Sequence, residues 1–526
     1  MTALSRRTVV LALVLSIAGC SATATKPAPP LADSPRRAPA MPLPGDAVVD
    51  AVAKLDGLAE QLMRSSGIPG MAVGVVHHGK TVYAKGFGVR DTRTGQKIDA
   101  DTVFQLASLS KPLSASVVAQ QVGAGTIRWD TPIVEALEWF ALSDPVATRL
   151  VTVGDLFAHR SGLPEHAGDL LEDLGYDRRT ILQRLRLLPL GPFRASYAYT
   201  NFGVTAAAEA VAAAAGRDWA QLCDEVLYRP LGMASTSSRF ADFLSRPNRA
   251  VGHIRVPGEA GAGYRPPRDP RDPDPQAPAG GVSSSVNDLT RWLAMMLADG
   301  RDNNGTPLLD PKALLPALTP QMVSSPPEEP AERSGFYGYG FNVDTSAAGR
   351  VQFSHSGAFL LGAATNFVII PDADVAIVAL TNAAPSGVPE ALTAQFADLV
   401  EFGEIRADWP ALYRDAFAEI DRPVGDLVGT PAPAQPAPAR PLPAYVGSYA
   451  NDYFGPATVT ANGGRLTLSL GARPQTFELT HRDGDVFTFA LGSENAPPGS
   501  VSAATFRGDT LTLEYFDTDG MGTFTR

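Results

Sequence analysis

The chain has 526 residues, 44% of them hydrophobic and 19% charged, and a net charge of −11. This length allows two or three domains with sizeable cores, and the ordinary composition argues against a disordered or fibrous chain. The acidic balance argues against nucleic acid as a partner, while two cysteines and seven scattered histidines argue against a disulfide framework or a zinc site.

At the N-terminus, Arg6 and Arg7 precede an apolar run, Val9 to Ala18, too short to span a bilayer as a helix. The run ends Ile17-Ala18-Gly19-Cys20, which resembles a bacterial lipobox and implies cleavage before Cys20 with lipid on its sulfur. Ser5 to Val10 also resembles a twin-arginine export signal. Residues 1–20 are therefore expected to be a lipoprotein signal peptide, or else an ordinary signal peptide cut elsewhere. The mature protein is expected in a bacterial cell envelope, facing the periplasm or the cell exterior. Residues 27–44 contain seven prolines, so 21–46 reads as an extended tether lifting a domain off the membrane.

Val48, Val52, Leu55, Leu58 and Leu62 have helical spacing, and the helix should stop near Gly67. Met71–Val76 and Thr81–Val89 read as strands joined by a hairpin at His78-Gly79. Helical segments follow, interrupted at Arg255–Pro278 by a proline- and charge-rich stretch expected to be an irregular surface insertion. Strands return at Val351–Phe353, Ala363–Ile370 and Val375–Leu380, before a helix over Pro389–Phe402. Strands at both ends with helices between predict an α+β domain over 47–405, its antiparallel sheet flanked by helices and closed by distant parts of the chain. Residues 406–443 read as a helix and a second proline-rich linker. From 444 to 526, short alternating strands separated by Asn462-Gly463, Asp483-Gly484, Gly508-Asp509 and Asp519-Gly520 predict a small antiparallel β-barrel or sandwich.

Gly74 to Thr81 matches the phosphate-loop pattern letter for letter. That loop holds phosphate only where it opens a helix, and here the chain continues as a strand. The match is a coincidence.

Ser108-Leu109-Ser110-Lys111 is more informative. A serine hydroxyl needs a base, and a lysine three residues on along a helix shares its face. A lysine serves as base only with a lowered pKa, and the apolar Val103–Ala107 can bury the pair. Pro112 fits only a first helical turn, placing the helix start and its free N–H groups near Ser108. Tyr199-Thr200-Asn201 follows 91 residues later: a tyrosine that can share the serine's proton and an asparagine whose amide can hold a substrate carbonyl or amide. At a strand edge, His355-Ser356-Gly357 precedes Ala358, whose N–H can face an oxyanion, with Gly357 letting substrate approach. A second Y-x-N element, Tyr449-Ala450-Asn451, lies in the β-region and reads as structural.

The order S-x-x-K, Y-x-N, [KH]-x-G resembles the penicillin-recognising serine hydrolases, in the class C β-lactamase-like branch (peptidase S12, D-aminopeptidases, family VIII esterases). Val153–Leu163, Leu227–Met233 and Ala279–Ser284 resemble that family too, and the segment from Tyr445 resembles its appended lipocalin-like β-domain. The resemblance implies a Ser108 acyl-enzyme and base work shared by Lys111 and Tyr199. It further implies substrate orientation by Asn201, an oxyanion hole from the amides of Ser108 and Ala358, and no metal or cofactor. Class C β-lactamases and most D,D-peptidases carry lysine where His355 stands. Histidine, largely neutral at pH 7, suits a substrate carboxylate less and shifts the expectation to esters, amides or amino-terminal D-residue peptides, with β-lactams a side activity. The alternatives are a β-lactamase or D,D-carboxypeptidase proper, a non-catalytic envelope binding protein, or a main function residing in the C-terminal β-domain. His159 and Arg160 are expected to tie down a loop, Cys223 to be a core thiol, and Tyr337 and Tyr339 either to line the cleft or to be plain sheet residues.

Overall fold

A computed structural model describes residues 41–256 and 263–526; Arg6, Arg7, Cys20 and the proline run as far as residue 40 lie outside the described residues. Helix α1 (Ala47–Ser66) buries Val48, Ala51, Leu55, Ala59 and Leu62 and ends at Gly67, whose φ of 71° is left-handed. Each fully buried leucine there contributes roughly 2 kcal/mol. The hairpin β1 (Gly70–His77) and β2 (Lys80–Gly88) turns at His78 and Gly79, both with positive φ (50° and 68°). No helix follows Gly79, so its amides have no phosphate-binding geometry.

The main sheet is completed by β3 (Met322–Ser325), β4 (Gly335–Tyr337), β5 (Asn342–Thr345), β6 (Val351–Phe359), β7 (Ala363–Ile370) and β8 (Val375–Thr381). Its order is β2-β1-β8-β7-β6-β5-β4-β3, antiparallel throughout. β1 and β8 read as unbroken apolar runs because both their faces are covered. Val73, Val75, Ile377 and Ala379 pack beneath α1 and the helix from Val388 to Phe402, whereas Ala72, Val76, Val378 and Leu380 join the larger core on the opposite face. That core includes α2 (Ser110–Gly123), α3 (Asn201–Ala215) and α4 (Val286–Leu297). The alanine-rich α3 is buried along most of its length, and its small side chains let α2 and the 277–280 segment approach closely.

The Arg255–Pro278 stretch is not simply a surface insertion. From Arg271 onward it turns inward: Arg271 is buried against Glu172 (2.5 Å), and the Pro278 carbonyl accepts from Ser114 Oγ (2.6 Å). A buried guanidinium needs such a partner, and the partner is a carboxylate 99 residues away.

Beyond helix α5 (Val388–Phe402), α6 (Trp409–Phe417) packs on it. Residues 431–443 do not hang free but run along the last domain: Ala437 exchanges hydrogen bonds with Asp483 and Gly484, and Arg440 pairs with Asp485. That domain is an eight-stranded antiparallel barrel in sequential order, from Gly447–Tyr449 to Thr523–Thr525, nearly closed by a bridge between Ala450 and Thr525. Asn451 ties down Met521 and Thr523 through their carbonyls, the structural part expected of the second Y-x-N. The barrel docks on the larger domain through polar contacts. Ser493 Oγ and Asn495 Nδ2 donate to Asp173, Tyr176 donates to the Phe454 carbonyl, and Glu494 accepts from the amides of Leu360 and Leu361 just after β6.

Candidate active site

Ser108 lies in a single 3-10 turn (Ala107–Leu109) immediately before α2. Ala107 has a left-handed φ of 48°, a strained conformation for a residue with a Cβ. Ser110 clamps the turn: its Oγ donates to the Ala107 carbonyl (2.7 Å) and accepts from the Val282 amide (2.9 Å). The sheet also presses on it. A Cβ on Gly357 of β6 would lie 2.3 Å from the Leu106 carbonyl and 3.0 Å from the Ser108 amide nitrogen. Gly357 thus admits the nucleophile turn itself against the strand, rather than only a substrate. From His355 to Phe359, β6 pairs with β7 alone and leaves its other edge beside the Ser108 turn, with Ala358 exposed there.

Lys111 is completely buried, and its Nζ has three neighbours: Asn201 Oδ1 at 2.7 Å, Ser108 Oγ at 3.0 Å and the Ala279 carbonyl at 3.1 Å. Burial lowers its pKa to about 7, against the pull of Asp169 in the other direction. Two of the three partners are amide oxygens, which can only accept. A neutral amine has two N–H groups for them and one lone pair, which then falls to the Ser108 hydroxyl. The Asn201 amide is held in that orientation because its Nδ2 donates to Asp169 Oδ2 (3.0 Å), a group that also only accepts. Each end of Asn201 thus has a protein partner that fixes the side chain, while one of the two Nδ2 hydrogens is left over.

Tyr199 donates its O–H to Ser108 Oγ at 2.8 Å, and burial raises its pKa, keeping the phenol protonated. Its ring also stands 4.5 Å from the Lys111 ammonium position. His355 faces the same side of the sheet, paired with Phe367 of the main core. Its Nδ1 lies 2.6 Å from the Ser356 carbonyl and must carry the proton; its Nε2 accepts from the Tyr337 hydroxyl at 2.8 Å. Burial, and then Lys111, lowers its pKa to about 3. His355 is a neutral group at physiological pH. Ser356 points the other way, as strand alternation requires: its hydroxyl accepts from Asn366 Nδ2 (2.9 Å) beneath α5 and does not face Ser108.

Three further side chains belong to this cluster: Asp169, which the sequence did not single out, His159, expected only as a loop anchor, and Tyr337, expected as a cleft or sheet residue. Asp169 anchors Asn201 and also His166 (3.1 Å). His159 ties down the loop through Nδ1, which accepts from the Thr200 amide (3.1 Å), but its ring also packs, tilted, against those of Tyr199 and Tyr337, with centroids 4.5 and 5.0 Å away. Tyr337 is the fully buried partner of His355, so it is neither an open cleft wall nor a plain sheet residue. Arg160 is the loop anchor expected, paired with Asp155 at 2.8 Å, and Cys223 is a buried thiol.

A helix-start serine under an open sheet edge, with a desolvated lysine at hydrogen-bond distance, defines a serine hydrolase class of site. Residues 55–402 match the Beta-lactamase family model, and the chain belongs to that family; residues 431–522 match a domain of unknown function, DUF3471. The chain is 26% identical over 484 residues to the unguisins hydrolase ungD of Aspergillus violaceofuscus, covering 83% of this chain and 82% of that one. It is 29% identical to the esterase EstB of Burkholderia gladioli, covering 66% of this chain and 94% of the relative. The octameric penicillin-binding protein homologue from Pyrococcus abyssi has a similar fold, with a TM-score of 0.59 at 18% identity, covering 90% of this chain and all of that one.

Proposed function

We propose that the protein cleaves an ester or amide through an acyl-enzyme on Ser108. The observation that carries this reading is the buried Lys111 Nζ within hydrogen-bond distance of Ser108 Oγ, Asn201 Oδ1 and the Ala279 carbonyl; as the free base it gives its two N–H groups to the amide oxygens and its lone pair to the Ser108 proton. Ser108 Oγ attacks the substrate carbonyl carbon and its proton passes to Lys111 Nζ. Tyr199, protonated and donating to Oγ, steadies the oxygen as negative charge develops; it gives its proton to the leaving group and is reprotonated by the Lys111 ammonium, which returns the lysine to the free base for the attack by water. The amides of Ser108 and Ala358 hold the oxyanion, and water then attacks the acyl carbon to release the acid. A neutral His355 supplies no cation for a substrate carboxylate, which favours esters, amides and amino-terminal peptides over β-lactams and C-terminal D-Ala-D-Ala. Export and a lipid anchor at Cys20 complete the proposal and place the site in the cell envelope.

The test is a fluorophosphonate probe read by intact mass, with Ser108→Ala as control. One adduct on the wild type and none on the variant is expected. An unreacted wild type that is folded, or an adduct that survives in Ser108→Ala, overturns the assignment. Cys20 lipidation is checked separately by mass after expression in a bacterium; an unmodified Cys20 removes the anchor.

A further inference from the structure

A cavity of about 460 Å³ opens where the barrel meets the larger domain, lined in part by Asp169, the carboxylate that holds Asn201. One wall is the 165–170 segment, which carries Glu165 and Asp169; the other is barrel, with Tyr453, Phe454, Phe516 and Asp519. Its volume suits a small organic group. Asp169 is 3% exposed, and while its Oδ2 holds Asn201 and His166, its Oδ1 has no partner among the described residues. The hydroxyl of Tyr515, also lining the cavity, has none either. A buried carboxylate oxygen without a donor is costly unless something supplies one. No lysine or arginine lines the cavity, and His166 is its one basic residue among those described. Three carboxylates and aromatic faces in one recess are complementary to a cation carried on hydrocarbon.

We propose that this interdomain cavity binds an ammonium group on an apolar stem, with the ammonium donating to Asp169 Oδ1 and the stem lying against Tyr453, Phe454 and Phe516. The inference rests on the Ser108 reading only for its consequence, not for the binding itself. Asp169 raises the pKa of Lys111, so a cation seated on Asp169 offsets that pull and leaves more of the lysine as free base at a given pH. The barrel is thereby part of the site: without it the recess loses its aromatic wall.

The test is calorimetric titration of the Ser108→Ala protein with n-hexylammonium and, separately, n-hexanol, so that binding is read without turnover. Hexylammonium is expected to bind at least about tenfold more tightly than hexanol, and Asp519→Asn and Phe516→Leu are each expected to weaken it about fivefold. Equal affinity for the two probes, no binding of hexylammonium, or variants that bind as tightly as their parent overturns the proposal. On active protein, the source of the cation is then distinguished. Competition by hexylammonium against p-nitrophenyl 6-aminohexanoate marks a substrate subsite, whereas acceleration of p-nitrophenyl acetate hydrolysis, with the acid limb moved to lower pH, marks a separate effector. Both outcomes require the cavity to bind the cation.

Discussion

Replacing Lys111 with methionine separates what the buried amine costs from what it does. In the unfolded chain the lysine titrates at its ordinary 10.5, and in the fold at about 7. Between those values the unfolded state binds more protons, so the stability of the wild type rises with pH, by up to about 1.4 kcal/mol per unit. The contribution is complete only above the unfolded value, and it is lost as pH falls to 7. Methionine is nearly isosteric and does not titrate. The stability of Lys111→Met relative to wild type is therefore expected to fall by about 2 kcal/mol between pH 7 and pH 9. This difference does not depend on the separate cost of stranding the Ala279 carbonyl and Asn201 Oδ1, which is common to both pH values. Urea titrations of the two proteins at pH 6, 7, 8 and 9 measure it, following the transition of the larger domain. In parallel, wild-type kcat/KM should rise tenfold per unit below about pH 7 and level off above it, while Lys111→Met loses turnover by several orders of magnitude. A stability gap that stays constant from pH 7 to 9 would refute the reasoning, because it would mean that Lys111 keeps its proton in the fold.

Gly357→Ala puts a Cβ 2.3 Å from the Leu106 carbonyl and 2.4 Å from Thr365 Oγ1; the nucleophile turn must move, with a loss of about 1–3 kcal/mol in denaturation and a fall in kcat of about a hundredfold. His355→Gln retains a neutral acceptor for the Tyr337 hydroxyl and should keep kcat/KM within about tenfold of wild type. His355→Lys buries a second ammonium near Lys111 and should cost about 3 kcal/mol or more, seen as a lowered Tm. Glu494→Ala removes the acceptor of the Leu360 and Leu361 amides and a buried carboxylate 3.9 Å from Arg271. A loss of about 3 kcal/mol in thermal unfolding is expected, with a drop in kcat because those amides follow the strand edge beside Ser108.

Elements that bury their own local pattern were legible in the sequence. Helix α1 could be read to its last turn because a five-member apolar stripe ends at a glycine that takes the left-handed cap. The hairpin at His78-Gly79 and the barrel turns were legible for the same reason: tight turns demand particular residues at particular places. The serine and lysine were readable together because three positions on a helix bring them to one face, whatever the rest of the chain does. The misread segment is equally instructive. Arg255–Pro278 is rich in proline and charge, which ordinarily means surface, but Arg271 is taken inside by Glu172, and no local signal in either segment announces the other.

The site has a short-range half and a long-range half, and only the first can be derived from one sequence. Ser108 and Lys111 are three residues apart, but each group that tunes them arrives from elsewhere: Ala279 from the inturned segment, Asn201 from the start of α3, Asp169 from 32 residues before Asn201. Asparagine illustrates why the roles are harder to read than the residues. An amide that donates to one partner and accepts from another suits substrate or scaffold equally well. Only the carboxylate of Asp169 on one side and the amine of Lys111 on the other show its scaffold part, which uses one of its two N–H groups. His355 agrees with its expected neutrality, but the cause lies in the enclosure: the Tyr337 hydroxyl and the Ser356 carbonyl hold it in a single neutral tautomer. Electrostatic roles are properties of an enclosure, and here the enclosure is assembled from five distant segments around one buried amine.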